Sequence, residues 1–196
     1  MLYPANTGVP FYSINQLHEI ATQFLHTPYV TYGSGAQKPE YGPLDVELIL
    51  QRLDHDVLFL NPLPHSLGIR CSSLLAANGT VFVFKNESVA DNPNGRALLA
   101  HELAHVILHW DLLKANPDAL NNLEPDFFDL AEKNTDDLAA LLLVHGCKTD
   151  NILAKRLAPA TAIRRIGYAN NANEACVRRY LRLYKDNQPL LNQKML

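Results

Sequence analysis

The sequence predicts an α+β fold in which a small, mainly antiparallel sheet packs on helices and a mostly helical C-terminal part follows. Apolar residues recur at helical spacing in several segments, and short apolar runs bounded by turn residues lie between residues 56 and 85. Residues 148–196 carry ten basic residues against three acidic ones, whereas residues 1–147 carry seven against seventeen. We therefore predict an acidic body over 1-147 and a basic helical extension over 148-196.

Length and composition favour one packed domain. The chain has 196 residues, of which 47% are hydrophobic, and no apolar run approaches the roughly 18 residues that a membrane span needs. Its first residues have neither the basic start nor the apolar stretch of a signal peptide. The three cysteines, Cys71, Cys147 and Cys176, form no C-x-x-C pair. We expect reduced thiols, no membrane association and a cytoplasmic location.

Two helices and a loop are predicted before the sheet. Ser13 and Gln16 form a capping-box pattern for a helix over residues 13–25, whose apolar residues share one face. Residues 29–43 are rich in glycine, proline and tyrosine, which indicates a long loop: a linker, or a flap over a substrate. Asp45 can cap a second helix that ends near Leu53.

Three strands are predicted next. Residues 56–60 are apolar enough for a short buried strand, and residues 68–75 suggest a second. Asn78-Gly79 is a tight-turn signal that leads into residues 80–85. The last two segments therefore predict a hairpin.

Helices fill the remaining chain. After the turn at 91–95, Arg96 opens a helix to about Lys114, and Asp126 can cap a long helix from Phe127 to His145 that Gly146 ends. Three short helices, separated by Pro159 and Asn170-Asn171, are predicted over 150–157, 160–168 and 173–185. The last two contain the arginines Arg164, Arg165, Arg178, Arg179 and Arg182. These could contact nucleic acid, but docking on the acidic body is the favoured interpretation.

The most informative motif is His101-Glu102-Leu-Ala-His105 in an apolar helix. One helical turn rises about 5.4 Å, so the two imidazoles can converge on one zinc ion. Glu102 lies about 100° round the helix, where it can act as general base on the water that a catalytic zinc activates. The competing interpretation is a buried helix with two structural histidines.

A catalytic zinc usually has three protein ligands. His109 lies about 12 Å from His101 along the helix axis, too far to share one ion, so a supporting role is predicted for it. Glu132 and Asp136 stand four residues apart on the next helix. Glu132 is the predicted third ligand, and Asp136 the carboxylate that supports a histidine. Their roles could be exchanged, and the fallback ligands are Asp129 and Asp137.

Two segments resemble the ImmA/IrrE metallo-endopeptidases. The first is 95–109, Gly-Arg-Ala-Leu-Leu-Ala-His-Glu-Leu-Ala-His-Val-Ile-Leu-His, and the second is 132–143, Glu-Lys-Asn-Thr-Asp-Asp-Leu-Ala-Ala-Leu-Leu-Leu. That family is gluzincin-like, with the pattern H-E-L-G/A-H-x-x-L-H followed by E-x-E-A-D-x-F-A-A-x-L-L-M-P. The order of elements before the motif is also similar, so the likeness covers about 45-145. It implies a zincin-like metallopeptidase domain within 1-147.

The resemblance implies that His101, His105 and Glu132 bind Zn²⁺, with Glu102 as general base and Asp136 in support. It also implies a helix-turn-helix transcriptional repressor as substrate, whose cleavage relieves repression. The chain departs from the family pattern at four positions without losing a ligand: Asn134, Thr135, Leu138 and His145. These departures lie where a substrate would be recognised.

Three functions are compatible with these residues. The leading hypothesis is a zinc-dependent endopeptidase that cleaves a repressor. The second is a non-cleaving regulatory module that sequesters a repressor or binds DNA, and the third is a toxin-like hydrolase. Tyr168, His65 and His145 are the candidate oxyanion stabilisers. The sequence predicts no oligomeric state.

Overall fold

The computed structural model describes residues 8–32, 43–60, 73–84, 92–144, 147–155 and 157–186. The elements in these ranges are, in chain order, α1 (Ile14–Leu25), α2 (Val46–Arg52), β1 (Val57–Phe59), β2 (Ser73–Leu75), β3 (Val81–Val83), α3 (Pro93–Ala115), α4 (Pro125–Leu143), α5 (Cys147–Ala154), α6 (Pro159–Asn170) and α7 (Glu174–Asp186). The predicted α+β class, with a mostly helical C-terminal part, is confirmed.

The sheet has three strands in the order β1-β3-β2 among the residues described. β2 and β3 pair antiparallel, with Leu75 opposite Val81 and Ser73 opposite Val83, so the predicted hairpin is confirmed. β1 runs parallel to β3. The sheet is therefore mixed, with one antiparallel and one parallel pairing, and not mainly antiparallel as predicted.

The two faces of the sheet differ in burial among the described residues. Val81 and Val83 are fully buried on the side of α2 and α3, whereas Leu58 and Leu74 are each 47% exposed on either side of Phe82. The prediction that β1 is a buried strand was therefore wrong. Among the described strands, β1 lies at an edge of the sheet, and its central residue points to the more exposed face.

Local side-chain chemistry sets where the long helices begin. α3 begins at Pro93, three residues before the predicted start, because the Asn92 side chain accepts hydrogen bonds from the backbone N–H groups of Asn94 and Gly95. α4 begins at Pro125, whose fixed φ suits the first helical position. The N-cap of α4 is Glu124, not the predicted Asp126, and it makes no side-chain cap bond.

The capping residues of α1 and α2 are the predicted ones. α1 has the predicted capping box of Ser13 and Gln16, and Asp45 caps α2 through the N–H of Leu48. The three C-terminal helices are confirmed, and Asn171 ends α6 in the left-handed conformation at φ 47°. The proposed flap falls mostly on 33–42, outside the described residues, whereas α4 ends at Leu143, two residues before its predicted end at His145.

α3 and α4 pack against each other at the centre of the molecule. α1 and α7 both contact α4, and one hydrophobic core contains residues of the body and of α6 and α7, including Leu103, Leu138, Ile166 and Val177. The basic C-terminal part thus packs on the body. Across the described ranges, we find no helix with both the length and the apolar character to cross a membrane.

Candidate metal centre

Two histidine rings of α3 meet at the surface that faces α4. Nε2 of His101 lies 3.2 Å from Nε2 of His105, and the ring centroids are 4.8 Å apart. The four-residue spacing accounts for this approach, because residues one turn apart lie on the same helix face. The motif thus presents two nitrogen donors to one point.

Glu132 of α4 brings a carboxylate to the same point. Its Oε2 lies 3.4 Å from Nε2 of His101, and its Oε1 lies 3.3 Å from Nε2 of His105. The ligand atoms of these three residues all lie within 4.8 Å of one another. Donors around a tetrahedral zinc at about 2.0–2.1 Å are separated by about 3.3 Å. The group could therefore hold a metal ion, and its spacing and donor types fit zinc.

The far side of the His101 ring contacts Asp136. Nδ1 of His101 lies 2.9 Å from Oδ1 of this carboxylate. A carboxylate accepts hydrogen bonds, so one proton sits on Nδ1, and Nε2 on the Glu132 side can bind a metal ion once it has lost its own proton. Of the two carboxylates predicted for the site, Glu132 lies at the donor cluster and Asp136 lies behind the histidine.

The far side of the His105 ring contacts His109, whose Nδ1 lies 3.2 Å from Nδ1 of His105. His109 is only 1% exposed, and among the described residues its Nε2 has no hydrogen-bond partner. Burial, together with the nearby His105, lowers the pKa of His109 to about 3. This histidine is therefore neutral at physiological pH and lies outside the donor cluster.

In the metal-free protein, the donor cluster is held together by charge. Burial lowers the pKa of His101, but hydrogen bonds to Asp136 and Glu132 outweigh burial and raise that pKa to about 10. Burial raises the pKa of the Glu132 carboxyl, but its contacts with His101 and His105 bring that pKa well below its usual range. A metal ion that binds here must compete with a proton on His101.

A cleft of about 870 Å³ opens over the donor cluster. β2, α3, α4 and α7 line it, and Glu102 lies in its wall with 3% of its surface exposed. The negative charge of Glu102 contributes to the raised pKa of His101, so the two side chains are close enough to interact. Leu113, Leu120 and Phe128 line the part of the cleft toward the C-terminal end of α3.

The remaining predicted site residues lie away from the donor cluster. Asp129 is exposed, and Asp137 is buried in an ion pair of 2.7 Å with Lys133, so neither fallback ligand joins the cluster. Tyr168 is 92% exposed and lines a separate groove on α6. The oxyanion role proposed for Tyr168 thus has no support from its position. His65 and His145 lie outside the described residues.

Two contacts of α4 were not predicted from the sequence. Arg179 of α7 contacts Asp136 and Asp137, and Asn134 of α4 binds the backbone of Tyr12. The sequence did contain one indication that Arg179 has a partner within the protein. Arg179 lies three residues after Cys176 and one before Tyr180, on the helix face that packs on the body. A basic residue on such a face usually has an acidic partner.

Comparison with family models and with curated proteins finds no match for this chain in either set. The resemblance to the ImmA/IrrE peptidases therefore stays a prediction made from the residues of two motifs. The geometry of His101, His105 and Glu132 stands independently of that resemblance.

Proposed function

We propose that the protein is a zinc-dependent endopeptidase that acts in the cytoplasm. The observation that carries this proposal is the convergence of two imidazole nitrogens and one carboxylate at separations of 3.2 to 3.4 Å. Two imidazoles with one carboxylate and an open fourth position make a donor set typical of catalytic zinc, whereas Mg²⁺ and Ca²⁺ favour oxygen ligands throughout.

Each side chain then has a distinct task. When bound, zinc supplies Lewis-acid chemistry, which polarises the carbonyl of the scissile bond and acidifies water. Glu102 takes a proton from the attacking water and delivers it to the nitrogen of the leaving amine. Asp136 keeps the proton of His101 on Nδ1, and His105 is supported through its own Nδ1 by His109.

The shape of the cleft suits a peptide segment. Its volume of about 870 Å³ lies near the upper end of the range for small-ligand sites, and β2, at an edge of the sheet, forms one wall. The resemblance to ImmA/IrrE peptidases supplies the proposed substrate, a helix-turn-helix repressor whose cleavage relieves repression. The apolar lining near Leu120 and Phe128 supports recognition of a large apolar side chain in that substrate.

The test of the proposal compares the wild type with Glu102→Gln. Both zinc-loaded proteins are incubated with a library of peptides made by digesting a bacterial proteome, and new N-termini are identified by mass spectrometry. We expect wild-type protein to create new termini, and Glu102→Gln to bind zinc normally but create none. Equal cleavage by both proteins, or none by the zinc-loaded wild type, contradicts the proposal.

A second candidate is a regulatory module that binds without cutting. Arg164 and Arg165 are exposed on α6, which supports binding of an acidic partner or nucleic acid. Arg178 and Arg179 are instead paired with acidic residues of the protein itself. A reporter under the control of the candidate repressor separates the two functions. Derepression that survives Glu102→Gln favours the binding module.

A further inference from the structure

We propose that Arg179 of α7 is a positioning residue of the metal centre. It holds Asp136 against His101, so the basic C-terminal part of the chain completes the site. This inference rests on the metal-binding part of the proposed function. It adds a residue from a segment for which neither the motif nor the resemblance assigns a role in metal binding.

The two oxygens of Asp136 have different partners. Oδ1 faces Nδ1 of His101 at 2.9 Å, and Oδ2 faces Nη2 of Arg179 at 2.9 Å. The carboxylate therefore bridges the candidate ligand and the guanidinium. An arginine that binds one oxygen restricts rotation of the carboxylate about its χ2 angle, which directs the other oxygen at the histidine.

Arg179 is itself held by a second acid. Its Nη1 lies 3.1 Å from Oδ1 of Asp137, whose Oδ2 accepts a hydrogen bond from Lys133 at 2.7 Å. The Asp137 side chain is 4% exposed, compared with 43% for Asp136 and 31% for Arg179. The buried acid therefore anchors the guanidinium, and the guanidinium orients the more exposed acid.

The arrangement explains why a half-exposed carboxylate can serve as a precise partner for His101. An unrestrained aspartate on a helix surface samples several rotamers and contacts water in most of them. Fixing the rotamer through Arg179 removes these alternatives before the metal binds, so less conformational freedom is lost on binding. Partners of metal-ligating histidines typically contribute 10- to 100-fold to metal affinity.

Arg178 provides a matched control on the same helix. It forms an ion pair with Glu174 one turn away, at 2.6 Å, and both side chains are more than half exposed. Arg178→Ala removes the same charge from α7 without touching the metal centre. Arg179→Lys keeps the charge but cannot reach two carboxylates with a planar two-armed group.

The experiment measures zinc affinity of the full-length protein by competition with a chromophoric chelator at fixed pH. We expect Arg179→Ala to weaken zinc binding about 10-fold, Arg179→Lys to weaken it several-fold, and Arg178→Ala to change it less than 2-fold. In an Asp136→Ala background, Arg179→Ala should have little further effect, because the residue through which it acts is gone. If Arg179 had a purely structural role, Arg179→Ala would lower the melting temperature, and its effect on zinc affinity would be the same with and without Asp136.

The outcomes separate this inference from the proposed function. If the wild type binds zinc and both Arg179 variants match its affinity, the positioning role is overturned while the metal site stands. An undiminished effect of Arg179→Ala in the Asp136→Ala background also overturns it. If Arg179→Ala does not fold, the zinc affinity of Arg179→Lys decides whether the positioning role stands. Absence of zinc binding by the wild type overturns both.

Discussion

Nδ1 of His101 lies 2.9 Å from Oδ1 of Asp136, a residue one helical turn beyond Glu132 on α4. One turn of α4 thus carries both the candidate ligand Glu132 and the carboxylate of Asp136, which fixes the tautomer of the candidate ligand His101. The two functions depend on the same packing of α4 on α3. A shift of either helix along the other would separate both pairs together.

We predict that Asp136→Ala weakens zinc binding by about 10- to 100-fold, because His101 loses the acceptor for its Nδ1 proton. The measurement is a competition titration with a chelator of known affinity. Asp129→Ala is the matched control, since Asp129 is an exposed acid on the same helix. Equal zinc affinities in the two variants would show that Asp136 does not support the site.

We predict that zinc stabilises the folded protein and that a chelator removes this effect. Free zinc at 100 times its dissociation constant adds about 2.7 kcal/mol to the free energy of unfolding. For a chain of this length, that corresponds to a rise of roughly 5–10 °C in the melting temperature. Scanning calorimetry with and without zinc provides the measurement.

Two histidine variants define the origin of that stabilisation. His105→Ala should abolish the zinc-dependent rise, because the cluster is left with two donors. His26→Ala, which removes an exposed histidine at the end of α1, should keep the full rise. A rise of equal size in both variants would place the bound zinc elsewhere in the protein.

The centre of the site was predictable because its signals are local. The spacing of His101 and His105 follows from helix geometry alone, and Glu132 and Asp136 share a helix face for the same reason. That the two helices meet was expected because a catalytic zinc usually has a third protein ligand, for which Glu132 was the candidate. The capping box of α1 and the β2–β3 hairpin were similarly encoded in a few consecutive residues.

Features that depend on distant partners were not predictable. The apolar composition of β1 indicated burial, but the exposure of Leu58 depends on how many strands and helices surround it. Arg179 lies 43 residues after Asp136, so no periodic pattern links them. Asn134 departs from the pattern of the resembled family, and its contact with Tyr12 spans 122 residues.

We predict that Asn134→Ala lowers the free energy of unfolding by about 1–3 kcal/mol. The Asn134 side chain accepts a hydrogen bond from the N–H of Tyr12 at 2.8 Å and donates one to its carbonyl oxygen at 3.1 Å. Its removal leaves two backbone groups without these partners near the core. Urea unfolding of the metal-free protein measures the loss.

Asn122→Ala is the control for this loss, since Asn122 is exposed and its backbone N–H donates the hydrogen bond of the turn to the carbonyl of Asp118. It should change stability by less than about 0.5 kcal/mol. Asn134→Asp should also destabilise, because it places a carboxylate beside the Tyr12 carbonyl and removes the donor. Wild-type stability in Asn134→Ala would show that the contact contributes nothing to the fold.

Cys176 of α7 lines the cleft over the donor cluster. Burial raises the pKa of this thiol to about 11, with a further contribution from the charge of Asp136. The thiolate is the reactive form, and a raised pKa delays its appearance to higher pH. In a Cys71→Ser, Cys147→Ser background, we expect alkylation by iodoacetamide at pH 8 to be at least about 10-fold slower than in urea. Between pH 9 and 10, the folded-state rate should rise about 9-fold, whereas a rise of less than about 2-fold would indicate an ordinary thiol and contradict the raised pKa.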